Sequence, residues 1–416
     1  MSSSWKKSLH TRREFLKRSA IASVGAGLLP MLGATAAAAS IPPGEVRRYS
    51  PLGKTGIKIS DISFGGARLH SGDEAVVLHA YDRGINYFDS AETYTGGESE
   101  TVIGNALKGK RDQVYLTSKT LAGPRDSKET MMASLEGSLR RLQTDHVDVY
   151  FNHAINDLER IKNPQWHEFT ELAKKQGKIR FAGMSGHAGN LIQCLDWGVD
   201  SGHIDVILCA YNFGQDPSFY QRFTHNFDFV AIQKDLPRVL KKAKQKGVGT
   251  IAMKTLRGAR LNDMRPYEKD GASFSQAAFR WVLSNPEVDA LIVTMPDAAS
   301  VDEYLGASGA RATAAADIPL LRRYEQLNGV SQCRQGCGIC ESSCPYGVEI
   351  GEVLRTRMYA VDYGDLRFAR DEYALLAKGA EACLTCSAKP CASACVYGLR
   401  PDVLLAPLHR ALTRAV

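Results

Sequence analysis

Ile85-Asn86-Tyr87-Phe88-Asp89-Ser90-Ala91-Glu92-Thr93-Tyr94 is the stretch from which the fold of this chain is read. It opens on a short apolar run, 86–89, ends that run on a carboxylate, and continues into a polar loop that carries a tyrosine. Similar runs recur on both sides, at 62–65, 114–118, 147–152, 179–184, 206–211, 249–253 and 290–294. Helix-length amphipathic stretches lie between them, such as 127–142 and 165–176. Short apolar runs separated by helices predict parallel strands joined by crossover helices. Eight such units in about 260 residues predict an α/β fold, a (β/α)8 TIM barrel. An open doubly wound sheet is the alternative, and no G-x-G-x-x-G follows the first strand to support it.

A strand that ends on a polar residue has a particular meaning in a barrel, where chemistry gathers at the C-terminal ends of the strands and the loops after them. Asp89 ends the second predicted strand, Tyr94 follows in its loop, Lys119 ends the third and His153 ends the fourth. A free phenol has a pKa of about 10, too high for proton transfer near neutrality unless a cation stabilises the phenolate. A lysine ammonium can do so, a carboxylate can hold the lysine in place, and a histidine can orient a carbonyl or alcohol oxygen. Together the four predict a proton-transfer site for carbonyl–alcohol chemistry.

Outside the predicted barrel the chain changes character. Thr11-Arg12-Arg13-Glu14-Phe15-Leu16-Lys17 resembles the twin-arginine (Tat) export signal, and a Gly/Ala-rich apolar stretch and the run Ala36–Ala39 follow it. Residues 1–39 are therefore expected to be a cleaved signal peptide, with a periplasmic or otherwise extracytoplasmic destination and the twin-arginine machinery as a partner. The apolar stretch is too short for a membrane span, and none is expected after cleavage. Of the net +7, this segment carries +5, so the remainder gives no electrostatic reason to expect a nucleic-acid partner.

Eight of the ten cysteines fall between Cys333 and Cys395 in two runs, Cys333-x3-Cys337-x2-Cys340-x3-Cys344-Pro345 and Cys383-x2-Cys386-x4-Cys391-x3-Cys395. Such spacing, and the C-x3-C-P ending, is the iron–sulfur pattern. Structural zinc and disulfides are the alternatives. Export through the twin-arginine route, which carries folded and loaded proteins, favours metal over the disulfides otherwise expected outside the cytoplasm. If the last cysteine of each run serves the other cluster, one [4Fe–4S] cluster uses Cys333, Cys337, Cys340 and Cys395, and the other Cys383, Cys386, Cys391 and Cys344. C-x3-C-x2-C is also the radical S-adenosylmethionine spacing, but there it lies in the barrel. Cys194 and Cys209 are expected to be buried apolar residues. The domains predicted are thus 1–39 signal, 46–308 barrel, 309–328 linker and 329–416 ferredoxin-like, mainly helical, with two helices within 348–376.

Across 46–308 the chain resembles the aldo-keto reductase family. The resemblance rests on Leu52-Gly53-Lys54-Thr55-Gly56-Ile57-Lys58-Ile59-Ser60, on the stretch that ends at Tyr94, on Leu116-Thr117-Ser118-Lys119 and on Asp148-Val149-Tyr150-Phe151-Asn152-His153. It implies Tyr94 as general acid/base, Lys119 and Asp89 as the residues that tune it, and His153 as substrate-orienting residue. It also implies NADP(H), with Ser185 and Lys254 as cofactor-binding residues. The chain departs from the family's nucleotide pattern at Gly186 (Asn in the family), Leu208 (Gln) and Met253 (a ring-stacking aromatic). Residues 294–304, where cations for the 2′-phosphate are expected, hold no Lys or Arg. The C-terminal part resembles the ferredoxin-like extension of one branch of the family.

These expectations combine into an exported oxidoreductase acting on a carbonyl or secondary alcohol, a sugar among the candidates. Electrons would pass through two clusters to a redox partner protein. An electron carrier with a non-catalytic docking barrel, and a non-redox lyase or epimerase, stay open as alternatives.

Overall fold

The computed structural model describes residues 44–187, 190–215, 233, 235–256, 263–269, 273–328, 333, 338–357, 359–360, 366–395 and 398–413. The expected signal segment 1–39 lies outside them.

A hairpin comes first, β1 (Tyr49–Pro51) and β2 (Lys58–Ser60), paired antiparallel. Eight parallel strands follow and close a barrel: β3 (Ile62–Gly65), β4 (Tyr87–Asp89), β5 (Tyr115–Thr120), β6 (Val147–Asn152), β7 (Ile179–Gly186), β8 (Val206–Ala210), β9 (Gly249–Met253) and β10 (Ala290–Thr294). β10 pairs with β3, so no edge remains. Every apolar run predicted to be a strand is one of these eight. Crossover helices include α1 (Glu74–Asp82), α2 (Glu98–Ala106), α3 (Lys128–Leu142) and α4 (Pro164–Lys175). They continue with α5 (Leu191–Ser201), α6 (Leu236–Gln245), α7 (Phe274–Leu283) and α8 (Ala298–Leu305). Their starts follow ordinary capping chemistry: the Ser127 hydroxyl accepts from Thr130 N at the head of α3, and Ser273 does the same for Gln276 N at α7.

Alternation along the strands divides the core in two. One set of side chains fills the barrel interior: Tyr87, Val149, Phe151, Leu208, Ile251 and Ile292. The other faces the helices, where Tyr150, Trp166 and Phe169 pack as an aromatic cluster. Full burial of such side chains stabilises by about 1.5–3 kcal/mol each. Leu52, Ile57 and Ile59 of the hairpin join the interior set and plug the N-terminal end of the barrel. Gly53 sits at φ +50° there, its N–H donating to Asp289 Oδ2 at 3.0 Å, and an added Cβ would lie 2.4 Å from Gly247 O. With that end sealed, the C-terminal end is the open face.

The connecting stretch after α8 ends in helix α9 (Asp317–Asn328). It is fastened to α7 by Arg280, which donates to both carboxylate oxygens of Asp317 at 2.8 and 2.6 Å, and by Tyr324 stacked on Phe274. The C-terminal module is helical, with α10 (Ile350–Arg357), α11 (Leu366–Ala374) and α12 (Pro401–Thr413) around a separate small core of Val348, Ile350, Val353, Ala369, Leu405 and Leu408. Cys340 and Cys391 are buried in that core, with Cys333, Cys344 and Cys383 packed against it.

Candidate active site

Three adjacent strands deliver the polar residues at the open face. On β4, Tyr87 and Asp89 both point inward, two residues apart; on β5, Thr117 and Lys119 do so, with Thr117 donating to the Tyr87 hydroxyl at 2.7 Å. Register places Asp89 beside Thr117 and Lys119 beside Phe151, so the inward positions at the strand ends form one polar layer above an apolar one. Lys119 is almost wholly buried and has a definite set of acceptors. Its ammonium donates to Asp89 Oδ1 at 2.7 Å, to Ser90 O at 2.6 Å and to the Tyr94 hydroxyl oxygen at 3.2 Å. Three donors meet three acceptors. His153 follows β6 and packs edge-on to Tyr94, ring centroids 5.4 Å apart. The four residues singled out in the sequence therefore converge.

The electrostatics differ from the sequence expectation in one respect. Lys119 was expected to pull the Tyr94 phenol down, yet the phenol lies well above the ordinary tyrosine value. Enclosure by the protein is the main cause, followed by the Asp89 and Glu372 charges and Tyr359, with Arg355 opposing. Lys119 is offset by the carboxylate it touches. Burial pushes Lys119 down and Asp89 up, and their mutual attraction opposes both shifts. Burial, then the cations Lys119, Arg160 and Arg355 with His187, holds His153 well below its usual range, so its ring is neutral. Because the Tyr94 oxygen accepts from Lys119, its own proton is left to face a bound ligand. This arrangement can give a proton to, or take one from, an oxygen placed beside Tyr94 and His153.

Backbone strain marks the same rim. Thr95, Ala154 and Lys254 all sit at positive φ, at 51°, 51° and 55°. The first two directly follow Tyr94 and His153. Left-handed conformations in non-glycine residues are costly and cluster at functional sites.

The expected nucleotide contacts fit NADP(H) badly among the described residues. Ser185 is buried, its hydroxyl accepting from Ala154 N at 3.0 Å. Gly186 has no side chain to offer, Leu208 is packed in the barrel interior and Met253 lies against it. α8 begins at an Asp297 cap, which accepts from Ser300 N, and residues 294–304 bring no cation there. Lys254 faces Glu352, Arg355 and Glu372 of the C-terminal module; burial, then Arg355, pushes its pKa down to about 8.

The two cysteine runs lie in the C-terminal module. No disulfide joins the described cysteines. Burial raises the Cys383 thiol to about 11, and Cys344, Cys391 and Cys386 add to that rise. Those four are thus near neighbours, although Cys344 comes from the other run. Among the described residues no three metal-ligating side chains close around a single ion. Cys333, Cys340 and Cys395 are described, while Cys337 lies outside the described residues. Cys194 and Cys209, outside the two runs, are fully buried.

Sequence reasoning missed the module's contribution to the site: Glu352, Arg355, Tyr359 and Glu372, together with His187 after β7. The available signal was Glu352 and Arg355 at i, i+3 on a helix otherwise apolar on one side.

A (β/α)8 barrel with a buried lysine–aspartate pair, a tyrosine and a histidine at its C-terminal mouth defines a class, the barrel oxidoreductases of carbonyl–alcohol chemistry. The chain belongs to the aldo/keto reductase family, whose profile matches residues 61–270. It is 28% identical over 292 residues to the L-galactose dehydrogenase of Arabidopsis thaliana, covering 62% of this chain and 86% of that one. It is 24% identical over 304 residues to an uncharacterized oxidoreductase of Bacillus subtilis, covering 67% and 96%. A solved aldo-keto reductase from Bacillus halodurans, in its holo form, superposes with a TM-score of 0.53 at 20% identity over 66% of this chain and 95% of that one, a likeness of fold.

Proposed function

We propose that the protein is an exported oxidoreductase that interconverts a secondary alcohol and a carbonyl, passing electrons through two [4Fe–4S] clusters to a redox partner protein. The observation that carries the catalytic half is the Lys119 ammonium shared between Asp89 at 2.7 Å and the Tyr94 hydroxyl at 3.2 Å. Tyr94 donates its proton to the carbonyl oxygen in reduction and accepts the hydroxyl proton in oxidation. Lys119, fixed by Asp89 and Ser90 O, holds the phenol oxygen and stabilises its anion when the proton leaves. His153, neutral, orients the substrate oxygen. The relative described as an L-galactose dehydrogenase supports a sugar as substrate.

Cys333, Cys337, Cys340 and Cys395 would hold one cluster, and Cys383, Cys386, Cys391 and Cys344 the other, in a ferredoxin-like module. The grouping of Cys344 with the second run supports this crossed ligation. Bound clusters would each supply a one-electron site toward the partner protein; the hydrogen on the alcohol carbon would leave as a hydride to a two-electron organic carrier bound beside the substrate, which would pass its electrons on singly. The twin-arginine motif supports loading in the cytoplasm followed by export to the periplasm, with cleavage of residues 1–39.

The test is a joint one on mature protein purified without oxygen. Iron, sulfide and released nucleotide are measured, and turnover is compared with Tyr94→Phe. About eight iron per chain is expected, with turnover abolished by the substitution, and the nucleotide assay decides whether an exported NADP(H) is the hydride carrier. Four iron or fewer in fully loaded protein would sink the two-cluster assignment. Unchanged turnover in Tyr94→Phe would sink the catalytic one.

A further inference from the structure

Part of the C-terminal module lies over the open end of the barrel. α11 packs against the turn that carries Tyr94, Arg367 pairs with Glu98 at 2.5 Å, and Glu352 Oε1 reaches to 3.8 Å from His187 Nδ1 in the loop after β7. The centre of this contact is Arg355, with 9% of its side chain exposed. It donates from Nε to Glu352 Oε2 at 2.5 Å, and from Nη1 to Glu372 Oε2 at 2.9 Å and to the Tyr359 hydroxyl at 3.0 Å. Its charge acts on Tyr94, His153, His187 and Lys254, so this cluster and the proton-transfer residues share one enclosure.

Charge and hydrogen-bonding capacity limit what that enclosure accepts. The charges of Lys119, Lys254 and Arg355 are opposed by Asp89, Glu352 and Glu372. Arg355 engages only the Oε2 atom of each module carboxylate, leaving Oε1 of Glu352 and of Glu372 outside that clamp. His153 Nδ1 and His187 Nδ1 are buried with no hydrogen-bond partner. Acceptor oxygens beside neutral imidazoles call for a ligand whose groups both donate and accept. Hydroxyls do this. An anionic substrate would set its charge against Glu352 and Glu372, and an alkyl ketone would leave the two buried imidazole nitrogens unmet.

Resting on the reading of Tyr94 as the proton donor, we propose that the C-terminal module forms one wall of the substrate pocket. In it, Glu352 and Glu372, fixed by Arg355, select a neutral polyhydroxylated substrate, an aldose or polyol, by accepting hydrogen bonds from its hydroxyls.

Calorimetric binding to the iron-loaded full chain tests this with three sets of probes: neutral aldohexoses and their polyols, the corresponding aldonates, and alkyl ketones of equal chain length. A neutral sugar or polyol is expected to bind at least tenfold tighter than its aldonate or the ketone. Glu372→Gln should weaken it tenfold or more with iron content unchanged; if that variant fails to load iron, Glu352→Gln carries the comparison. Preference for an aldonate or ketone, no binding by any neutral probe, or unchanged sugar affinity in a loaded variant overturns the proposal. Binding should survive Tyr94→Phe while turnover is lost. A polyol that binds but is never turned over would sink the proton-transfer reading and leave the pocket assignment standing. Turnover of alkyl ketones, indifferent to both carboxylates, would do the reverse.

Discussion

Tyr94 holds its proton tightly, and this sets the pH behaviour of the site. Enclosure and the Asp89 charge keep the phenol well above its ordinary value, so below that value the phenolate fraction rises tenfold per pH unit. Alcohol oxidation, which needs the phenolate, should climb steadily from pH 6 to 9 without a plateau, as read from kcat/KM. A plateau near neutrality would mean that another group is the base. Tyr94→Phe should lower turnover about 10²–10⁴-fold, the range typical of a lost general acid or base. Lys119→Met carries a separate cost, because it strands Asp89, 1% exposed. Breaking a buried pair in this way costs about 3–5 kcal/mol, measurable by denaturant unfolding. Replacing both partners with apolar residues should recover much of that loss. Asp89, Tyr94, Lys119 and His153 were legible in sequence because a strand end in a parallel barrel has only one chemical face. Glu352, Arg355 and Glu372 were not, since nothing local says which side of a helix will meet a distant mouth.

At the scale of elements, all eight barrel strands were legible because buried parallel strands read as continuous apolar runs between turn signals. Less visible was how closely some of them approach. Gly183 on β7 lies where a Cβ would come within 2.4 Å of the Phe151 ring, so it admits Phe151 to the barrel interior. Gly183→Ala should cost about 1–3 kcal/mol through overpacking, seen as a lower thermal midpoint; a smaller ring partner, as in Gly183→Ala with Phe151→Leu, should restore part of it. The loop after β7 carries a pH dependence of its own. Burial, then Lys254, pushes His187 down to about 3, so it is neutral in the folded protein and gains a proton more readily when unfolded. Its stabilising contribution is full above the unfolded value of about 6.5 and is lost as pH falls from there toward 3. Urea midpoints should therefore drop between pH 7 and 4, and His187→Gln should flatten that drop.

Over the whole molecule, two folded parts meet at one mouth, and the cysteine runs belong to the part that supplies Arg355. Crossed ligation predicts that Cys344→Ser disturbs the cluster otherwise built on Cys383, Cys386 and Cys391. Iron should fall from about eight to about four per chain, while far-ultraviolet circular dichroism of the barrel stays the same. Loss confined to the cluster of Cys333, Cys337 and Cys340 would show that each run serves itself. By itself, the sequence determined the barrel, the end that carries its chemistry, and the lysine–aspartate–tyrosine–histidine set. Strand period, turn chemistry and strand-end position are local properties, and together they leave few alternatives. Only the tertiary structure decided that the C-terminal helices lie over the mouth, that Glu352, Arg355 and Glu372 gather near the proton-transfer residues, and that enclosure raises the Tyr94 phenol rather than lowering it. Those outcomes depend on which distant surfaces come together and exclude water, and neither spacing nor composition encodes that.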